Sequence, residues 1–116
     1  MNAIAIILPV PPSVNRRYVV SKGGSIMLTE ETRVYMEHVK AICISQDLQA
    51  LEGDLVVTID VFAPNKRTDV DNYLKAPLDA LQGYAYANDN QVKRIVVTRY
   101  VDKQNPRLEV SVAHFE

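Results

Sequence analysis

The chain has 116 residues, of which 47% are hydrophobic and 23% charged, with a formal net charge of −1. This length suits one compact domain over residues 1–116, because halves would hold too little interior to offset chain entropy, and the near-zero charge argues against indiscriminate polyanion binding. No apolar run approaches the roughly 20 residues that cross a bilayer, Met1-Asn2-Ala3-Ile4 lacks a basic signal region, and a lone Cys43 excludes an internal disulfide, so a cytoplasmic location without membrane contact is expected.

Ala3-Ile4-Ala5-Ile6-Ile7-Leu8 is a β-branched-rich run stopped by Pro9, Pro11 and Pro12, which cannot donate to a sheet ladder. It predicts a first strand followed by a rigid turn. Arg16-Arg17-Tyr18-Val19-Val20 and Ser25-Ile26-Met27-Leu28 flank Ser21-Lys22-Gly23-Gly24, a hairpin or flap built on a glycine pair. Thr29 is placed to cap a helix reaching about Asp47, with Glu30 and Glu31 facing the positive end of its dipole. Tyr35, Val39 and Ile42, with Met36 and Cys43 beside them, form its apolar stripe.

Leu55, Val57, Ile59 and Val61 alternate, and Val56 and Phe62 add apolar side chains opposite, which predicts a central strand covered on both faces. Pro64-Asn65-Lys66-Arg67-Thr68 ends it. Beyond Asp69-Val70-Asp71-Asn72, Leu74, Leu78 and Leu81 mark a second helix closed by Gly83, and a start near Lys75 puts Pro77 in its tolerant first turn. Ile95, Val97 and Val101, then Leu108, Val110 and Val112, read as two strands linked as a hairpin through Asp102-Lys103-Gln104-Asn105-Pro106. The sum is a single α+β domain with a mixed β-sheet and two helices.

Charge is segregated along this order. Glu30, Glu31, Glu37, Asp47, Glu52 and Asp54 outweigh Arg33 and Lys40, whereas Lys93, Arg94, Arg99, Lys103 and Arg107 face Asp102 alone. Asp69 and Asp71, two apart in a stretch leaving a strand, point to one side if the backbone stays extended. Carboxylates so close repel unless a cation neutralises them, and oxygen donors suit hard Mg²⁺ or Mn²⁺. On helical geometry Asp71, Lys75 and Asp79 share one strip, and Asp89 precedes a strand that can return it to the same site. Acids, a divalent ion and a lysine together suit phosphodiester hydrolysis.

The same residues also fit a plainer reading, with Asp71 capping the second helix, Lys75 pairing with Asp71 or Asp79 on a solvated surface, and Asn88-Asp89-Asn90 as turn chemistry. A calcium loop is disfavoured by Tyr73 and Leu74, where that motif needs an oxygen ligand and glycine. His38 and His114 have no partner at ligand spacing. Tyr84, Tyr86 and Tyr100 are candidates for base stacking, with packing the expected role of at least two.

The run Arg67-Thr68-Asp69-Val70-Asp71-Asn72-Tyr73-Leu74-Lys75, with Leu78-Asp79-Ala80-Leu81 and Asn88-Asp89-Asn90-Gln91-Val92, resembles the RusA family of Holliday junction resolvases. Leu8-Pro9-Val10-Pro11-Pro12-Ser13-Val14-Asn15 is similar to that family's opening strand and turn, so the resemblance covers nearly the whole chain. It implies a homodimeric, bacterial or phage-encoded, Mg²⁺-dependent endonuclease that resolves four-way DNA junctions by paired nicks in recombination and repair, with Mn²⁺ as a substitute and no organic cofactor. By the same resemblance Asp69, Asp71 and Asp89 bind metal and Lys75 aids catalysis. Asn88 departs from members that place a second acid there. Candidate phosphate contacts are Arg16, Arg17, Lys66, Arg67, Lys93, Arg94 and Arg99. Junction symmetry gives a reason for the dimer, since two opposed strands must be cut. A restriction-type nuclease lacks its E-x-K element here, and the alternative from another class is a catalytically inactive protein that binds branched DNA.

Overall fold

The computed structural model describes residues 3–12, 18–20, 23, 26–66 and 70–116. Its elements are β1 (Ala3–Leu8), β2 (Tyr18–Val20), β3 (Ile26–Leu28), α1 (Glu30–Ser45), β4 (Leu55–Ala63), α2 (Lys75–Leu81), β5 (Val92–Val101) and β6 (Arg107–His114). Short 3₁₀ turns occupy Val70–Tyr73 and Asp89–Gln91. The four long strands form one mixed sheet in the order β1-β6-β4-β5, and β2 and β3 pair as a separate antiparallel hairpin, which together realise the expected α+β class.

β4 is central because its inward side chains are the most consistently apolar. Leu55, Val57, Ile59, Val61 and Ala63 are all fully buried, against Leu108, Val110 and Val112 of β6 and Ile4, Ile6 and Leu8 of β1. Among the described residues only one face is covered, however. Both helices contribute to the single core on that face, and Val56, Thr58, Asp60 and Phe62 on the other stay half-buried, so the expectation of cover on both faces is corrected. Phe62 is sheltered locally by Tyr100, whose ring stacks at 5.0 Å, and by the Arg107 guanidinium 3.9 Å from its ring centre.

The expected hairpin of β5 and β6 is also corrected: β4 lies between them, parallel to β5 and antiparallel to β6. Charge-rich β5 buries none of its residues and takes the edge, while the apolar strands compete for the centre. The 102–106 connection must therefore span two strand spacings, roughly 10 Å. It does so by docking on the end of β4, where the Asp102 N–H donates to the Ala63 carbonyl at 2.8 Å. The Asp102 carboxylate accepts from the Gln104 and Asn105 N–H groups and pairs with Arg107 at 3.0 Å. The N–H of Asn105 and the Arg107 guanidinium hold that carboxyl below the usual carboxylate range.

Thr29 caps α1 as expected, its hydroxyl accepting from the Thr32 N–H at 3.2 Å. Thr32, Tyr35, Val39 and Cys43 form its buried face, with Met36 and Ile42 at the margin. Cys43 is a free, buried thiol whose pKa burial pushes up. α2 starts at Lys75, so Pro77 sits in its first turn, where a missing N–H costs nothing. Its buried face is Ala76, Pro77, Ala80 and Leu81; of the expected leucine stripe Leu81 is fully buried, while Leu74 and Leu78 are partly buried and pack against the core from the margin. Gly83 follows with φ +94°, a conformation that penalises any side chain.

Candidate active site

The crossover from β4 to β5 places α2 beside the edge strand, since parallel neighbours need a long connection and a helix packs into it. Between them lies a cleft of about 180 Å³ lined by Lys75, Leu78, Asp79, Tyr86, Asp89, Val92 and Ile95. Lys75 Nζ lies 3.2 Å from Asp79 Oδ1, one helical turn on. Asp89 reaches the same cleft from the far end of the crossover. The floor is apolar and the rim carries two acids and one lysine.

Tyr86 supports the floor. It is fully buried, and its hydroxyl donates to the Leu78 carbonyl at 2.6 Å. Burial, then the negative charges of Asp79 and Asp89, push its pKa up, so the phenol stays neutral. Of the tyrosines considered for base stacking, Tyr86 is thus a packing residue, and Tyr100 is engaged with Phe62 on the opposite face of the sheet.

Asp89 is exposed, yet its backbone is held on several sides. Its N–H donates to Gln82 Oε1 at 3.1 Å, and Asn88 Oδ1 accepts from the Asn90 N–H at 3.0 Å. Asn88, the departure from the family pattern, therefore works as a turn residue. The side chain of Gln91 reaches back to the backbone at Leu51 and Gly53. Gln82 was not singled out from the sequence, and Gln91 entered only within the run that carries the resemblance, without a role of its own, because neither lies on a periodic face.

Asp69 lies outside the described residues, as do Arg16, Arg17 and Arg67. Asp71 belongs to the 3₁₀ turn Val70–Tyr73, which contacts both α2 and β5, and its side chain is outside the described part of the chain. The condition of an extended backbone is not met at Asp71, where the chain is already coiling one short turn ahead of Lys75. The N-cap position of α2 is Leu74, three residues beyond Asp71. Among the described residues no group of three or more His, Cys, Asp or Glu side chains is arranged to hold a metal ion.

The candidate phosphate contacts do not share one face. Ile95 faces the cleft, so Arg99, four residues further on, lies on that side roughly 13 Å along the strand. Arg94 points to the opposite face, its guanidinium 5.3 Å from the centre of the Phe115 ring. Lys93 lies 3.9 Å from Asp54. Lys66 lines a recess with Asn65, Val101 and Lys103 at the carboxyl ends of β4 and β5.

Comparison with known proteins adds an independent finding. The family model described as Endodeoxyribonuclease RusA matches residues 9–113. The chain is 31% identical over 115 residues to the crossover junction endodeoxyribonuclease RusA of Shigella sonnei (strain Ss046) and to that of Escherichia coli (strain K12), covering 97% of this chain and 95% of each relative. It is 29% identical over 119 residues to the crossover junction endodeoxyribonuclease of Enterobacteria phage HK97, covering 100% of this chain and 98% of that protein.

Proposed function

Because the chain belongs to the endodeoxyribonuclease RusA family, we propose that it is a crossover junction endodeoxyribonuclease that cuts four-way DNA by divalent-metal-assisted hydrolysis in recombination and repair. The observation that carries this reading is the meeting of Lys75 and Asp79, from the helix in the middle of the β4–β5 crossover, with Asp89, from its far end, in one cleft. A passive binder of branched DNA has no use for such a cluster, which repels phosphate more than it attracts it.

The donor set of the cleft is carboxylate oxygen, without sulfur or imidazole among its described lining residues, and so fits a hard cation such as Mg²⁺ or Mn²⁺. Asp69, Asp71 and Asp89 would hold it. When bound, such an ion supplies Lewis acidity and a more acidic water.

The chain's own groups do the rest. Lys75 presents an ammonium at the rim, where it stabilises negative charge developing on the phosphate oxygens, and Asp79 holds that ammonium while the cleft is empty of substrate. Leu78, Val92 and Ile95 add apolar surface to the lining beside these charged groups. Arg99, on the same face, would contact a phosphate further along the strand. Cutting two opposed strands calls for two copies related by a two-fold axis, hence a homodimer.

The direct test is incubation with a synthetic four-way junction and with a linear duplex, each with Mg²⁺ and with EDTA. Paired nicks in the junction alone, abolished by EDTA, are expected. Equal cutting of the duplex makes the protein a general nuclease, and junction binding without nicking makes it the passive binder.

A further inference from the structure

We propose that Gln91 is a positioning residue for Asp89, clamping the turn that carries this carboxylate to the segment leading into β4. The inference rests on the reading of Asp89 as a metal ligand. Gln91 Oε1 accepts from the backbone N–H groups of Ala87, at 3.0 Å, and Asn88, at 3.1 Å. Its Nε2 donates to the carbonyls of Leu51, at 2.9 Å, and Gly53, at 3.0 Å. Both donors and both acceptor lone pairs of the amide are thereby used. The partners fix its orientation, since N–H groups only donate and carbonyls only accept.

One side chain thus bridges two backbone segments far apart in sequence. Gly53 adopts φ +80°, a backbone conformation open to glycine at little cost. The Leu51 N–H adds a parallel tie to the Ala85 carbonyl at 2.8 Å.

The turn has no apolar reason to keep this shape. Ala87, Asn88, Asp89 and Asn90 are exposed, and the 3₁₀ turn buries none of its residues. Segments with few buried contacts open readily, and a ligand that wanders costs a metal site its affinity. A polar clamp answers that need by fixing the backbone on both sides of the ligand. Gln82, which accepts from the Asp89 N–H itself, completes the support from α2.

The test uses Gln91→Glu, which keeps the size and the acceptor but turns the donor into an oxygen facing two carbonyls, with Gln91→Met as a second variant of similar length. Mn²⁺ binding to the protein without DNA is measured by calorimetry, alongside Mg²⁺ titrations of junction cleavage, thermal melting, and amide hydrogen exchange. The expected result is a 10- to 100-fold weaker Mn²⁺ affinity, of the order seen when outer-shell partners of metal ligands are lost. Cleavage is expected to recover at raised Mg²⁺, with Ala87 and Asn88 amides exchanging faster and the melting temperature little changed. Wild-type Mn²⁺ affinity in the folded variants overturns the proposal. So does unprotected exchange of the Ala87 and Asn88 amides in the wild-type protein, a measurement that holds even if both variants fail to fold. Asp89→Asn serves as the reference: if it binds Mn²⁺ and cleaves like wild type, the reading of Asp89 fails, whereas if it loses both while Gln91→Glu titrates normally, only the clamp fails.

Discussion

The ammonium of Lys75 lies 3.2 Å from the carboxylate of Asp79 on the rim of the cleft that Asp89 enters from the other side. The lysine side chain is 58% exposed, so an ion pair there adds little to stability, and its effect is expected in the reaction instead. Lys75→Ala should lower turnover by roughly 10²- to 10³-fold, the loss typical of one group that stabilises transition-state charge, and leave junction affinity nearly unchanged. Single-turnover cleavage beside fluorescence-anisotropy binding checks this. Equal losses in both make Lys75 a residue that holds DNA.

Replacing Asp71 or Asp89 by asparagine should abolish cleavage while preserving or strengthening junction binding, because each change removes negative charge close to phosphates. Gel-shift titrations in EDTA and nicking assays in Mg²⁺ measure the two halves separately. Undiminished nicking by either variant removes that residue from the site.

Ile59 is fully buried in the middle of β4, with strands on both sides and the core in front. Ile59→Ala should cost about 2–5 kcal/mol through lost transfer energy and the cavity left behind. Urea denaturation gives the value. A loss below about 1 kcal/mol would mean that the core collapses around the gap, contrary to the packing of a central strand.

Tyr35 and Tyr86 both have pKa values pushed up, Tyr35 by burial and Tyr86 by burial and then by Asp79 and Asp89. A phenol whose folded pKa lies above the unfolded value of about 10 holds its proton more tightly when folded. Its contribution is therefore fully present below about pH 10 and is lost as the pH rises toward the folded value. Stability should fall above pH 10 by about 1.4 kcal/mol per pH unit for each of the two groups. Tyr86→Phe should halve that slope and cost about 1 kcal/mol near neutrality by leaving the Leu78 carbonyl unpaired. Chemical denaturation from pH 8 to 11 tests both statements. A flat alkaline profile would refute the assignment.

Much of this architecture follows from residue order alone. The alternation of Leu55, Val57, Ile59 and Val61, the cap at Thr29, the proline stop after Leu8 and the start of α2 that tolerates Pro77 are properties of a few adjacent residues, and each element formed where those properties put it. The aspartate and lysine motif was legible for the same reason: its chemistry lies in residue types at short spacing. Strand order was not. Whether β5 pairs with β6 or yields its place to β4 depends on which inward face gains most from burial, a competition between segments far apart in sequence. The convergence of Asp89 on Lys75 and Asp79, and the four hydrogen bonds of Gln91, are equally non-local, since each needs the β4–β5 crossover closed before its partners meet. Local sequence wrote the elements and the reactive groups, and only the burial of β4 at the centre of the sheet decided which of them would face one another.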